Sequence, residues 1–174
     1  QCTFCNVPLL WSQYTSKSAK RIFDEIVHCV ETYNVYRIRF TDSLINGNQK
    51  IFRNLIQLLA SYNKTSKNKV TWDGQFIIRE HTHVDPTMFE DIRDSGCISL
   101  QVGIESGSEK VREDIKKKFS NDAIEYHLQQ FDRVGLKNII IALMFVGFPT
   151  ETEDDFEDSM KILDMFAKYK CINR

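Results

Sequence analysis

The sequence predicts an α/β fold in which parallel strands are covered by helices. Three observations carry this. Segments with helical spacing and segments with strand character alternate along all 174 residues, the pattern of repeated βα units. After Asn138 the chain reads Ile-Ile-Ile-Ala-Leu-Met-Phe-Val, a continuous apolar run that suits a strand covered on both faces. The links between strands are long enough to hold helices, as parallel neighbours require.

Residues 18–33 set Ile22, Phe23, Ile26, Val27 and Val30 at helical spacing. Residues 36–41 alternate Tyr-Arg-Ile-Arg-Phe-Thr as a strand. Residues 49–62 are helical again, with Phe52, Leu55, Ile56 and Leu59 on one face. Residues 69–78 read as a strand that Gly74 weakens. A short helix over 86–94 opens on Pro86, which suits a first turn, and Gly96 suits its exit. Residues 97–104 are the third strand, and Ser106 with Glu109 has capping-box spacing for the next helix. Another helix over 123–134 stops at Gly135, and the fourth strand covers 138–146. Thr150 and Glu153 form a second predicted box, opening a last helix to about Tyr169 that carries Phe156, Met160, Leu163 and Phe166.

Composition narrows the function. Lys plus Arg number 23 against 24 Asp plus Glu, for a net charge of −1, which leaves no footprint for nucleic acid or an anionic membrane. With 42% apolar and 27% charged residues the chain is neither disordered nor collagen-like. Its uncharged stretch at 138–150 falls short of the roughly 20 apolar residues a bilayer needs. The five cysteines, Cys2, Cys5, Cys29, Cys97 and Cys171, are odd in number and scattered, so they do not read as a disulfide framework, and a cytoplasmic location is expected. The chain has no initiating methionine and opens inside a cysteine motif. Residues 1–174 are therefore expected to be one domain's fragment, with a first strand upstream.

Parallel strands bring their C-terminal ends, together with the loops that leave them, to one rim. The exits are Thr41-Asp42-Ser43, then Arg79-Glu80-His81, then Glu105-Ser106-Gly107-Ser108, then Gly147-Phe148-Pro149-Thr150-Glu151. Asp42 at a loop start reads as a turn residue or a ligand contact. Glu105 ends an apolar strand, where a carboxylate needs solvent or a partner. Arg79 fits a bidentate carboxylate contact or a surface salt bridge. Gly147 and Pro149 shape a backbone turn, and Ser106 and Ser108 read as caps. Lys116, Lys117 and Lys118 read as a solvated helix end, Cys29 and Cys97 as core thiols, His81 and His83 as loop residues, and Met144 and Phe145 as core. Cys2-Thr3-Phe4-Cys5 reaches the same rim; two cysteines at this spacing hold a metal or cluster, or form a redox pair. No second Cys-x2-Cys accompanies them.

These residues together resemble the radical S-adenosylmethionine (radical SAM) enzymes. Their signature is Cys-x3-Cys-x-aromatic-Cys, and Cys2-Thr3-Phe4-Cys5 is similar to its second half, with Phe4 as the aromatic. Asp42 and Ser43 stand where the family holds the amino end of the methionine. Gly-Ile-Glu-Ser-Gly-Ser at 103–108 resembles the family's fourth-strand exit, and Val-Gly-Phe-Pro-Thr-Glu at 146–151 its fifth. The combination is most like the cobalamin-binding-domain-associated branch. The sequence departs from the pattern in three ways. The first signature cysteine is expected four residues before Cys2, hence upstream of Gln1. Gly-Gly-Glu is replaced around Asp42, and the fifth-strand acid comes one position late, at Glu151.

The resemblance implies a partial (β/α) TIM-like barrel, truncated at both ends, with the last strand and helix also missing. It implies a 4Fe–4S cluster on Cys2, Cys5 and the upstream cysteine, with an open iron for S-adenosylmethionine. It also implies cofactor contacts from Phe4, Asp42, Ser43, Arg79, Glu105, Gly147 and Pro149. Reductive cleavage to a 5′-deoxyadenosyl radical, or related chemistry such as methyl transfer, would act on a small-molecule substrate. The electron would come from a donor such as a flavodoxin or ferredoxin, and cobalamin would be supplied by an upstream domain. The segment alone, with two thiolates, is expected to be inactive. Two other readings stay open on the residues: a thiol redox domain using Cys2 and Cys5, and a cluster-less interaction domain derived from the barrel.

Overall fold

The structure, a computed structural model, describes residues 2–7 and 15–173. In chain order the elements are α1 (Ala19–Tyr33), β1 (Arg37–Arg39), α2 (Gln49–Thr65), β2 (Thr71–Phe76), a 3-10 turn (His81–His83), α3 (Met88–Asp94), β3 (Cys97–Glu105), α4 (Glu109–Asp114), α5 (Asn121–Arg133), β4 (Ile140–Met144) and α6 (Glu153–Phe166). The four strands form one sheet in the order β1-β2-β3-β4, every neighbouring pair parallel. Strand order equals chain order, so each link crosses over through helical structure and all strand exits share one edge.

Alternation along the strands separates the two faces. Trp72 and Phe76 of β2 and Leu100, Val102 and Ile104 of β3 are buried under the helices. Phe52 of α2 packs edge-on against Trp72 and Phe76, and Phe131 of α5 against Phe76. The opposite face carries Arg37, Arg39, Asp73, Gln75 and Gln101. Asp73 accepts from Arg39 Nε at 2.7 Å there.

The strands are shorter than their hydrophobic runs. β1 keeps only Arg37–Arg39 and β4 only Ile140–Met144. β4 is not covered on both faces as its composition suggests: Leu143 is 44% exposed, and Val146, past the end of the strand, 62%. Beyond α6 the chain returns beside β4, where Asn138 and Ile139 donate to the carbonyls of Lys170 and Cys171, and Asn173 N donates to Ile140 O at 2.8 Å. A parallel bridge joins Ile140 and Ile172. Residues 170–173 thus lie alongside β4 as a fifth parallel element would.

Both predicted caps are displaced by two residues, and only the second forms a capping box. The α4 cap is Ser108, which accepts from Val111 N, because Ser106 Oγ is buried against Ser159 Oγ at 3.1 Å. The α6 box is Thr152 with Asp155 rather than Thr150 with Glu153. Thr150 instead donates its hydroxyl to Asp114. Cys97 and Cys171 are buried, and desolvation pushes both thiols up; Cys29 is only half-buried.

Candidate functional site

The Cys2–Cys5 segment is a tight turn, with Cys5 N donating to Cys2 O at 3.2 Å. Two contacts seat it. Thr3 N donates to Ile115 O, just past α4, at 3.2 Å. Phe4 meets Phe145 edge-to-face, centroids 5.6 Å apart, and Phe145 leans on Phe148 at 6.1 Å. Phe145 is therefore not a core residue as its apolar run suggests. It lies just beyond β4, donates its N–H to Glu105 O at 2.9 Å, and links the turn to the exits of β3 and β4. Both thiols are free and partly exposed, as donors to an added metal centre must be. Among the described residues no group of three or more His, Cys, Asp or Glu side chains forms a metal site; the two thiols are of the donor type that iron–sulfur clusters take.

Glu105 ends β3 with φ 71°, a left-handed conformation costly for a residue with a Cβ, at a break in the β3–β4 register. Its carboxylate is held by Lys117 Nζ at 2.9 Å, the two side chains 16% and 10% exposed. Lys117 also donates to Gly103 O at 2.7 Å. The lysine run 116–118 is thus not a uniformly solvated helix end. Lys116, at φ 62°, turns the chain so that Lys117 points back to the rim while its neighbours stay exposed. Gly103 makes the pair fit, since a Cβ there would lie 2.4 Å from Glu105 Oε1 and 2.7 Å from Lys117 Nζ.

The rest of the 103–108 motif is structural. Ser106 Oγ accepts from Ser108 N, and Ser159 Oγ accepts from Gly107 N at 2.9 Å. Fully buried Arg112 donates to Ser106 O and Asn121 Oδ1, both at 2.6 Å, and to Phe119 O at 3.3 Å. Burial lowers the guanidinium's pKa. Lys110, then Ser108 and Thr152, hold the Asp155 carboxyl well below the usual carboxylate range.

At the β4 exit, Gly147 has φ 86° and its N–H donates to the Glu151 carboxylate; Glu151 N donates to Phe148 O at 2.8 Å. Pro149 is exposed on this turn. The late acid Glu151 therefore closes the turn on itself.

The exits of β1 and β2 form the other half of the rim. Asp42 and Ser43 are exposed in a loop. Arg79 donates Nη2 to Asn46 O at 3.1 Å and Gly47 O at 3.2 Å, and among the described residues it has no carboxylate partner. Among the described residues it makes no surface salt bridge, one of the two roles weighed from sequence. It lines a pocket of about 400 Å³ with Lys50, Arg53, His83 and His127. Desolvation lowers His127 to about 4. Glu80 accepts from Ser120 N at 2.6 Å and His81 lies against Tyr126, while His83 is exposed. Sequence reasoning missed Lys117, hidden in a lysine run, and Asn46, which looks like an ordinary Asn-Gly turn.

A parallel α/β sheet with polar exits on one rim, and a Cys-x2-Cys turn seated over two of them, is the scaffold of a barrel-type enzyme that carries a cofactor at its strand ends. The chain belongs to the radical SAM superfamily, whose family model matches residues 1–163. Among curated relatives it is similar to tRNA-2-methylthio-N(6)-dimethylallyladenosine synthase of Stutzerimonas stutzeri (strain A1501), 25% identical over 94% of this chain and 37% of that protein. The corresponding enzyme of Helicobacter hepaticus (strain ATCC 51449 / 3B1) is 24% identical over 95% of this chain and 37% of its own length. The chain thus spans a little over a third of these relatives. Among solved structures it resembles the radical S-adenosylmethionine methyltransferase TsrM from Kitasatospora setae, with a TM-score of 0.77 and 14% identity over 96% of this chain and 32% of that one. It also resembles the cobalamin-dependent S-adenosylmethionine radical enzyme OxsB, with a TM-score of 0.75 and 15% identity over 93% of this chain and 24% of that one. TsrM has been solved with cobalamin and a [4Fe–4S] cluster bound, and OxsB with aqua-cobalamin and S-adenosylmethionine. At these identities the likeness is one of fold. Among the described residues no helix is long and apolar enough to cross a membrane.

Proposed function

We propose that this chain is the core domain of a radical SAM enzyme. The carrying observation is the Cys2–Cys5 turn, tied to the strand rim through Ile115 O and Phe145. Cys2 and Cys5 would hold irons of a 4Fe–4S cluster as thiolates. When bound, the cluster supplies the electron that breaks a carbon–sulfur bond of S-adenosylmethionine and yields a 5′-deoxyadenosyl radical.

The chain's own residues bind and orient. Asp42 and Ser43 meet the amino end of the methionine, while Glu105, braced by Lys117, meets the polar part between methionine and nucleoside. The Gly147–Pro149 turn lies against the adenine, and Phe4 anchors the cysteine turn to the β4 exit through its edge-to-face contact with Phe145. Arg79 acts from behind the Asp42 loop, through the carbonyls of Asn46 and Gly47.

The enzyme draws its electron from a flavodoxin- or ferredoxin-type donor and works in the cytoplasm. The names of its relatives favour methyl or methylthio transfer as the outcome, with cobalamin, where used, on a separate domain. The balanced charge of the chain favours a small-molecule substrate over a long nucleic-acid tract.

The test is anaerobic reconstitution of the full-length protein with iron and sulfide, followed by reduction in the presence of S-adenosylmethionine. 5′-Deoxyadenosine, or S-adenosylhomocysteine if methyl transfer dominates, is expected. A fully reconstituted protein that produces neither contradicts the proposal.

A further inference from the structure

The loop after β1 is extruded from a ladder that continues on both sides of it. Phe40 N donates to Asp73 O at 2.9 Å, and Ile45 N donates to Gln75 O at 2.8 Å. The two acceptors are alternate residues of one strand, so residues 41–44 are squeezed out between neighbouring rungs, and all four are exposed. The next rung is made by a side chain. Asn46, only 3% exposed, donates Nδ2 to Ile77 O at 2.8 Å and accepts from Ile77 N on Oδ1 at 3.0 Å. A primary amide presents one donor and one acceptor in a plane, as a peptide group does, so Asn46 stands in for the missing stretch of strand. Arg79 reciprocates from beyond β2 by donating to the carbonyls of Asn46 and Gly47. Asn48 then caps α2 through Ile51 N at 3.1 Å. The extruded segment is pinned at both ends.

We propose that Asn46 is a positioning residue: its amide, clamped on Ile77 and backed by Arg79, fixes the 41–44 loop so that Asp42 and Ser43 meet the polar end of S-adenosylmethionine. This rests on the enzymatic reading above. Asn46 does not touch the ligand and acts only through the loop.

The experiment is a double-mutant cycle in the full-length, cluster-reconstituted protein, reading S-adenosylmethionine affinity by equilibrium dialysis for wild type, Asn46→Asp, Asp42→Asn and the double variant. In Asn46→Asp an ionised carboxylate keeps the acceptor for Ile77 N but places a second acceptor against Ile77 O. Each single substitution is expected to weaken binding about tenfold, and Asn46→Asp to add less than about threefold once Asp42→Asn is present, because contacts made through one loop are lost once. Affinity of Asn46→Asp should also recover as pH falls, when the introduced carboxyl is protonated and can again donate to Ile77 O, whereas wild type should show no such recovery. Iron and sulfide content and far-ultraviolet circular dichroism accompany each variant. If Asn46→Asp does not fold, Asn46→Thr, which keeps one hydroxyl toward Ile77, takes its place in the cycle. Multiplicative losses in the double variant overturn the proposal, and so does an Asp42→Asn variant that binds as well as wild type. Failure of the reconstituted wild type to bind S-adenosylmethionine would instead remove the enzymatic reading on which it rests.

Discussion

Gly103 and Gly107 stand in one short motif, and the same substitution should cost far more stability at the second than at the first. A Cβ on Gly107 would lie 2.4 Å from Asp158 O and 2.5 Å from Ser159 Cα. Both are backbone atoms of α6, which cannot swing aside, so the helix must move by about 1 Å from the β3 exit. Overpacking of this kind costs about 1–3 kcal/mol. The shift also stretches the buried bond from Gly107 N to Ser159 Oγ and the Ser106–Ser159 contact, for about 1–3 kcal/mol more. A total of about 2–6 kcal/mol corresponds to a fall in Tm of roughly 4–24 °C for a domain of this size. At Gly103 the atoms in the way are the carboxylate and ammonium ends of Glu105 and Lys117, which can rotate. Gly103→Ala should cost about 1 kcal/mol or less in stability, while displacing the pair that braces the rim. Thermal unfolding monitored by circular dichroism gives both values. A Gly107→Ala protein melting within about 2 °C of wild type would refute the reasoning that this glycine exists for the close approach of α6.

Buried polar groups give three further outcomes. Arg112→Met should lose about 3–5 kcal/mol in urea unfolding, because it strips the charged donor from Ser106 O, Phe119 O and Asn121 Oδ1. His127 is lowered to about 4 in the fold against roughly 6.5 when unfolded. The unfolded chain therefore takes up the proton first as pH drops, and stability should fall by up to about 3 kcal/mol between roughly pH 6.5 and 4, a limb that His127→Gln should lack. Asp155 is shifted below its unfolded value by Lys110, Ser108 and Thr152. Its contribution is present above about pH 4 and fades as pH falls further, so Asp155→Asn should flatten the acid limb of the stability profile.

The order and direction of the strands were legible because helix and strand periodicities alternate without interruption, and that pattern has few topological solutions. The caps were not, for a local reason. Ser106 and Ser108, like Thr150 and Thr152, offer the same hydroxyl two residues apart, and at the first pair the choice is made by α6, whose Ser159 captures Ser106. The coverage of β4 was misread because an apolar run does not reveal which neighbour covers which face. At the site, the cysteine turn and the carboxylate at Glu105 stand out as residue types. The Glu105–Lys117 pair does not, because it depends on the left-handed turn at Lys116. Asn46 was equally hidden: its role comes from a gap in the ladder between Phe40 and Ile45, which no side-chain pattern records.

The enzymatic reading rests most heavily on Cys2 and Cys5 as cluster ligands. Iron and acid-labile sulfide should be counted, and the visible and electron paramagnetic resonance spectra recorded, for the full-length protein after anaerobic reconstitution with each cysteine changed to alanine. Cys2→Ala and Cys5→Ala are each expected to lose the cluster, while Cys29→Ala, Cys97→Ala and Cys171→Ala, where they fold, retain it. A full complement of iron and sulfide with an unchanged spectrum in Cys2→Ala or Cys5→Ala would contradict the ligand assignment.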